Sequence, residues 1–277
     1  MNKKLEGKKI LITGGSRGIG KAIAELFVAN GAALMLSARS LDELVKTKDE
    51  LAKKGGRVEI CPADVSKKED AKRLIEKTLE TFGDIDVLVN AAGIYGAIGP
   101  SMEVDFEAWK KAFEINLFGT FNVIQETAPI FIKKKEGKII NFSGGGDGPL
   151  PSFSAYNASK IALVRLTETL AEELKEYGIA LNAIAPGPVN TKFLDDALKA
   201  GEGLVGKERY AKLIKQKEEG GVSPEKAAEL CLFLASRDSD GLSGKLLSAV
   251  WDDWKSWDAA KIKEIMSSNK FTMRRTP

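Results

Sequence analysis

The chain has 277 residues, 43% apolar and 29% charged, a balance that suits a globular protein and excludes a disordered chain, a collagen-like repeat or a disulfide scaffold. Lys and Arg number 42 against 39 Asp and Glu, with no basic stripe, so the expected partner is a small molecule and no nucleic acid. Histidine is absent and Cys61 and Cys231 are the only cysteines, which removes His-based catalysis, leaves no expected metal site and points to free thiols in a reducing, cytoplasmic compartment.

Ile10 to Ile12 is the first apolar run and reads as a strand. Ile19, Ile23, Leu26 and Phe27 then recur at i, i+4, i+7 and i+8, one stripe of a helix that Gly31 stops. Ala33 to Leu36 is a second strand, and Ser40 with Glu43 has the spacing of a capping box that opens the next helix. Val58 to Cys61 is a third strand, followed by the same box at Ser66 and Glu69. Val87 to Val89, Ile139 to Phe142 and Ile179 to Ile184 follow as strands, with Leu163, Leu166, Leu170 and Leu174 marking a helix before the last of these. Ser223-Pro224 opens a further helix whose stripe of Ala227, Leu230, Cys231 and Leu234 makes Cys231 a core residue. Leu246 and Leu247 end the series as a seventh strand. Strands alternating with helices predict an α/β fold: one doubly wound domain over residues 1–250, with a central parallel sheet of about seven strands and helices on both faces. The longest uncharged stretch, Val87 to Met102, is too short for a bilayer, and the N-terminal apolar run is too short for a signal peptide, so no membrane partner is expected.

Between the first strand and the first helix lies Thr13-Gly14-Gly15-Ser16-Arg17-Gly18-Ile19-Gly20. Glycines there let the backbone approach a pyrophosphate, and the helix N-terminus offers it unsatisfied N–H groups. The spacing TGxxxGxG, with Asn90-Ala91-Ala92-Gly93, Tyr156-Asn157-Ala158-Ser159-Lys160 and Pro186-Gly187, resembles the short-chain dehydrogenase/reductase family over most of the chain. The resemblance implies a Rossmann-type dinucleotide-binding domain and an oxidoreductase moving a hydride between a nicotinamide and a carbonyl or alcohol substrate. The family motif usually reads Asn-Asn-Ala-Gly, and its second position here is Ala91.

An acidic residue at the end of the second strand would bind the adenosine ribose of NAD. Ala38 stands there, followed by Arg39, and Arg17 lies inside the glycine loop; two guanidinium groups suit a phosphate, so NADP(H) is the expected cofactor. The ordinary fate of either arginine is a solvated surface charge. By resemblance, Gly14, Ser16, Gly18, Ile19 and Gly20 belong to the phosphate-binding loop, Arg17 and Arg39 pair the 2′-phosphate, Asp64 and Val65 face the adenine, and Asn90 and Gly93 belong to the cofactor site. Pro186, Gly187, Val189 and Thr191 carry over as contacts to the carboxamide and phosphates. Asp64 also reads as a cap for the helix near Ser66.

Tyr156 and Lys160 are i and i+4 on one helix face, and an ammonium beside a phenol lowers a pKa that is otherwise ~10. The resemblance makes Tyr156 the general acid and base, Lys160 its partner and a ribose contact, and Asn116 an organiser of a proton relay. The carbonyl-holding serine is assigned to Ser143, although counting from the strand places Gly144 there, and Ser152 and Ser154 are alternatives. A mobile helical lid over about 192–221 is implied. The alternative from another class is a catalytically silent NADP(H)-binding regulatory or scaffold protein.

Residues 251–277 extend past the point where family members commonly end. Trp251, Trp254 and Trp257, if helical, fan over about 120° of one face. Two roles are open: packing on the domain or on a second copy in a homodimer or homotetramer, or closing the substrate pocket with Arg274 or Arg275 reading an anionic or polyhydroxyl group.

Overall fold

Ile10, Leu11 and Ile12 are all fully buried, yet neighbours in a strand point to opposite faces, so this strand must be covered on both sides. The computed structural model describes residues 3–144 and 148–274. In chain order it runs β1 (Lys9–Thr13), α1 (Gly18–Ala29), β2 (Ala33–Ala38), α2 (Leu41–Ala52), β3 (Arg57–Pro62), α3 (Lys68–Phe82) and β4 (Val87–Asn90). Then come α4 (Phe106–Phe113), a π-turn at Glu114–Gly119, α5 (Thr120–Lys134), β5 (Gly137–Phe142), α6 (Ser154–Glu173) and β6 (Ile179–Ala185). Three helices, α7 (Lys192–Ala200), α8 (Glu202–Val205) and α9 (Lys207–Glu219), precede α10 (Pro224–Ala235), β7 (Lys245–Ser248) and α11 (Ala259–Met266).

The seven strands form one sheet in the order β3-β2-β1-β4-β5-β6-β7, and every pairing is parallel. Ile10 and Ile12 face a core shared with Ile23 and Phe27 of α1 and Leu230 and Cys231 of α10. Leu11 faces the other, with Leu74 of α3 and Val123 of α5. Chain order reverses beside β1, which pairs with both β2 and β4, and this opens a crevice beyond the carboxyl ends of the strands. Among the described residues no helix is long and apolar enough to cross a membrane.

Ser40 caps α2 as the capping-box spacing predicts, accepting the Glu43 N–H at 3.3 Å. Ser66 does not cap α3, which Lys67 precedes without a side-chain cap. Its N–H and hydroxyl instead donate to Asp64 Oδ1 at 3.1 and 2.7 Å, because a carboxylate two residues away competes for them and folds a local turn.

The tryptophan stripe is likewise corrected. Ser248 accepts the N–H groups of Val250 and Trp251, Asp258 caps α11, and only a 3₁₀ turn at Trp254–Ser256 lies between, so short polar side chains break the helix that the spacing suggested. Trp254 is buried against Phe233, with ring centroids 5.6 Å apart, and Trp257 packs on Phe271 at 5.1 Å. The described residues beyond α11 then follow the open edge of β7. The Leu246 N–H donates to Phe271 O at 2.8 Å, and the Lys245 ammonium donates to the carbonyls of Ser268 and Lys270 at 3.1 and 3.0 Å. Arg274 is exposed on that path, off the cavity wall described below, and Arg275 lies outside the described residues.

Candidate active site

The glycine loop after β1 is a close-packed turn. Gly14 has φ +70°, and a Cβ there would lie 2.7 Å from the backbone of Ala91 and Ala92, while one on Gly20 would lie 2.1 Å from the Gly14 carbonyl oxygen. The loop therefore presses against the β4 turn on one side and starts α1 on the other, with no side chain between it and the crevice. That crevice is a cavity of about 850 Å³.

At one end it is lined by Gly14, Ser16, Arg17, Gly18, Ile19 and Gly20, by Ser37 to Ser40, and by Asp64 and Val65. Ser37 is a residue sequence reasoning passed over: its hydroxyl oxygen is buried at the end of β2 with no partner, as a site for a ribose would leave it. A glycine cradle, a helix N-terminus and an orphaned hydroxyl together fit a dinucleotide. Arg39 is exposed there, and no ion pair holds it among the described residues. Arg17 differs, because Glu43 pairs with it at 2.8 Å and also accepts the Ser16 hydroxyl at 3.0 Å. For Asp64, burial alone would raise the pKa, but hydrogen bonds from Ser66 and the charges of Lys111 and Arg39 hold the carboxyl below its usual range.

At the other end the wall carries Gly93, Ser143, Gly144, Tyr156, Lys160, Pro186, Gly187, Val189 and Thr191. Thr191 also caps α7 through the Phe193 N–H. Asn90 and Asn116 lie behind this wall. Asn90 is inside the sheet and donates to Asn141 Oδ1 at 3.0 Å. Asn116, in the π-turn, accepts the Ile94 N–H and donates to Ile94 O, both at 2.9 Å, and donates to Ser159 Oγ at 3.0 Å. Ser154 accepts from the Trp109 indole at 3.1 Å; neither it nor Ser152 is on the wall, whereas Ser143 is. A Cβ on Gly144 would lie 1.9 Å from the Tyr156 hydroxyl oxygen, so glycine leaves the space that the phenol occupies.

The electrostatics correct the simple reading of the Tyr–Lys pair. Tyr156 is half-buried on the cavity wall, and desolvation, with a smaller contribution from Tyr95, pushes its pKa up rather than down. The Lys160 ammonium turns to the Phe142 carbonyl at 2.7 Å, and burial lowers its pKa to about 8. Spacing along a helix fixes which face two side chains share, but desolvation by the rest of the fold sets their proton affinities.

Helices α7 and α9 form the outer wall with Phe193, Asp196, Arg209, Leu213 and Gln216, and Phe193 and Tyr95 both pack against Tyr156. The Tyr95 ring touches Phe153, Tyr156 and Phe193, each with centroids 4.8 Å apart. Its position two residues beyond Gly93 was the available signal in the sequence. Of the extension, Trp251 alone among the described residues reaches the wall.

Residues 8–201 match the family model described as short chain dehydrogenase. The chain belongs to the short-chain dehydrogenase/reductase family. It is 36% identical to a diacetyl reductase, (S)-acetoin forming, of Staphylococcus epidermidis over 250 residues, 86% of this chain and 95% of the relative. It is also 36% identical over 253 residues to a 3-oxoacyl-(acyl-carrier-protein) reductase of Thermotoga maritima, covering 88% of this chain and 96% of that one. Among solved structures, an NAD⁺-bound xylitol dehydrogenase superposes with a TM-score of 0.82 at 28% identity, covering 89% of this chain and 98% of that one. A 7α-hydroxysteroid dehydrogenase with NADH superposes at 0.79 and 30% identity, covering 89% and 94%. As a short-chain dehydrogenase/reductase the chain is an oxidoreductase of the carbonyl/alcohol couple that uses a nicotinamide cofactor.

Proposed function

We propose that the protein is an NADP(H)-dependent reductase of small carbonyl compounds, running in reverse as an alcohol dehydrogenase, with Tyr156 as its general acid and base. The observation that carries this reading is that Tyr156, Lys160, the glycine loop and Arg39 all line one cavity. The named relatives of Staphylococcus and Thermotoga are both reductases, which favours the reductive direction.

Gly14, Ser16, Gly18, Ile19 and Gly20 would hold the phosphates, Asp64 and Val65 the adenine, and Gly93, Pro186, Gly187, Val189 and Thr191 the nicotinamide half. When bound, the nicotinamide supplies or accepts the hydride. The chain handles the proton. The Tyr156 hydroxyl, its pKa raised by desolvation, keeps its proton until alkoxide charge develops on the substrate oxygen, then gives it up. Lys160 stabilises the tyrosinate that results, Asn116 fixes Ile94 and Ser159 beside it, and Ser143 donates to the substrate oxygen. NADP(H) over NAD(H) is supported by Ala38, which offers a ribose no acceptor, and by Arg39, whose charge no carboxylate among the described residues pairs with.

The helices from α7 to α9 are read as a lid. Phe106 and Phe118, 66% and 53% exposed, are consistent with a face covered by a second copy in a homo-oligomer, which subunit mass in solution tests. The central experiment follows oxidation of NADPH and NADH with a panel of ketones, acyl thioesters and sugars. NADPH is expected to be oxidised faster. Binding of NADPH with no oxidation across the panel would favour a silent cofactor-binding protein.

A further inference from the structure

Arg209 is a cation that neither the fold nor the cofactor site accounts for. It projects from α9 to the cavity wall, its guanidinium lies 5.3 Å from the Phe153 ring centroid, and its Nε is buried without a hydrogen-bond partner. No carboxylate among the described residues pairs with it. Asp196, the acid that α7 gives that wall, is already engaged with Lys192, and its neighbour Asp195, off the wall, pairs with Lys217 at 2.6 Å. Gln216, the other polar group that α9 gives the wall, is tied to Asn190 Oδ1 at 2.9 Å and Pro188 O at 3.1 Å. A guanidinium stacked on a ring keeps a fixed plane and loses little freedom when it binds.

We propose that Arg209 reads a carboxylate on the substrate, making the preferred substrates oxo acids whose carboxylate is separated from the carbonyl by an apolar body. This rests on the reductase reading. The separation follows from the rings between the two groups: Arg209 stacks on Phe153, Phe153 touches Tyr95, and Tyr95 touches Tyr156, the last two contacts at 4.8 Å. Tyr95, Phe193 and Leu213 line the intervening wall and suit an apolar body, not a chain of hydroxyls. The planar fork of one guanidinium can hold a carboxylate through two parallel hydrogen bonds and match its single charge.

The test measures equilibrium binding, in the presence of NADP⁺, of 6-oxo-6-phenylhexanoate, its methyl ester, and the homologous pairs one carbon shorter and longer. In the parent at least one acid should bind roughly tenfold or more tighter than its ester, the scale of a charge-assisted hydrogen bond. In Arg209→Gln that ratio should fall towards one. Equal binding of acid and ester in the parent, no binding of any acid, or a preference that survives in Arg209→Gln overturns the proposal. A loss of NADP⁺ affinity in Arg209→Gln that matches the loss of acid affinity also overturns it, because Arg209 would then belong to the cofactor. NADPH oxidation with the same pairs tests the reductase reading separately: an acid bound through Arg209 but never reduced supports the anion site and counts against that reading.

Discussion

Tyr156 and Lys160 are where residue chemistry is most exposed to test. Tyr156→Phe removes the proposed proton donor and little else, so turnover should fall ~10²–10⁴-fold with NADPH binding nearly intact. Turnover within twofold of the parent would show that another group moves the proton. Lys160 also gives a pH signature. Its folded pKa of about 8 lies below the unfolded value near 10.4, so between those values the unfolded chain binds more protons. This lysine therefore costs stability at neutral pH, and the cost shrinks as pH rises from about 8 towards 10. Lys138 and Lys245 are depressed by burial too and act in the same direction, so the comparison is with Lys160→Met. In denaturant titrations across this window, the parent should gain on Lys160→Met as pH rises; parallel curves would show that Lys160 is not desolvated as described. Glu43 supplies the third residue-scale prediction. Glu43→Gln removes the charge that neutralises Arg17, and NADP⁺ affinity should rise relative to NAD⁺ several-fold, limited by the exposure of the pair. An unchanged ratio would mean that Arg17 takes no part in the choice.

At the scale of elements, the join of β1 to α1 is set by contacts that no larger residue can make. A Cβ on Gly20 would lie 2.1 Å from the Gly14 carbonyl oxygen, so Gly20→Ala must push the loop away from the helix start. Overpacking of this kind costs ~1–3 kcal/mol, and for a protein of this size that lowers Tm by roughly 2–12 °C. The same shift moves the proposed phosphate cradle, so NADPH affinity should fall with Tm, as a thermal scan with and without NADPH will show. A variant as stable and as tightly binding as the parent would mean that the loop is not held by this contact. The strand and helix positions and the Ser40 cap were legible because periodicity and capping act over a few residues. Ser66 was misread for a related reason: its competitor for hydrogen bonds, Asp64, is just as local.

Over the whole molecule, the extension fastens an open sheet edge. Ile262 and Ile265 of α11 are buried in the core, and Phe271 bonds to the backbone of β7. Truncation after Asp258 removes two buried side chains worth ~1.5–3 kcal/mol each and uncovers the edge, so Tm should fall by roughly 6 °C or more. NADPH affinity measured well below that Tm should stay within about twofold. Loss of NADPH affinity with Tm unchanged would place the tail at the cavity instead.

The sequence by itself determined the seven-stranded α/β fold and the family, because alternation of apolar runs, glycine spacing and the Tyr-x-x-x-Lys motif are short-range statements about backbone and helix faces. Tertiary structure alone decided how those residues are charged and what they meet. Arg17 is paired by an acid 26 positions away, and the end of the chain is held by Glu168, 105 positions before Met273. Tyr156 and Lys160 are four residues apart in any helix, but only the rings and strands folded over them strip away water and move both pKa values against the ionised forms. Arg209 carries no motif, and it reaches the cavity because α9 folds back over Phe153. Pairing, burial and enclosure depend on which distant segments meet, and that is a property of the assembled sheet and its covering helices, not of any one stretch of chain.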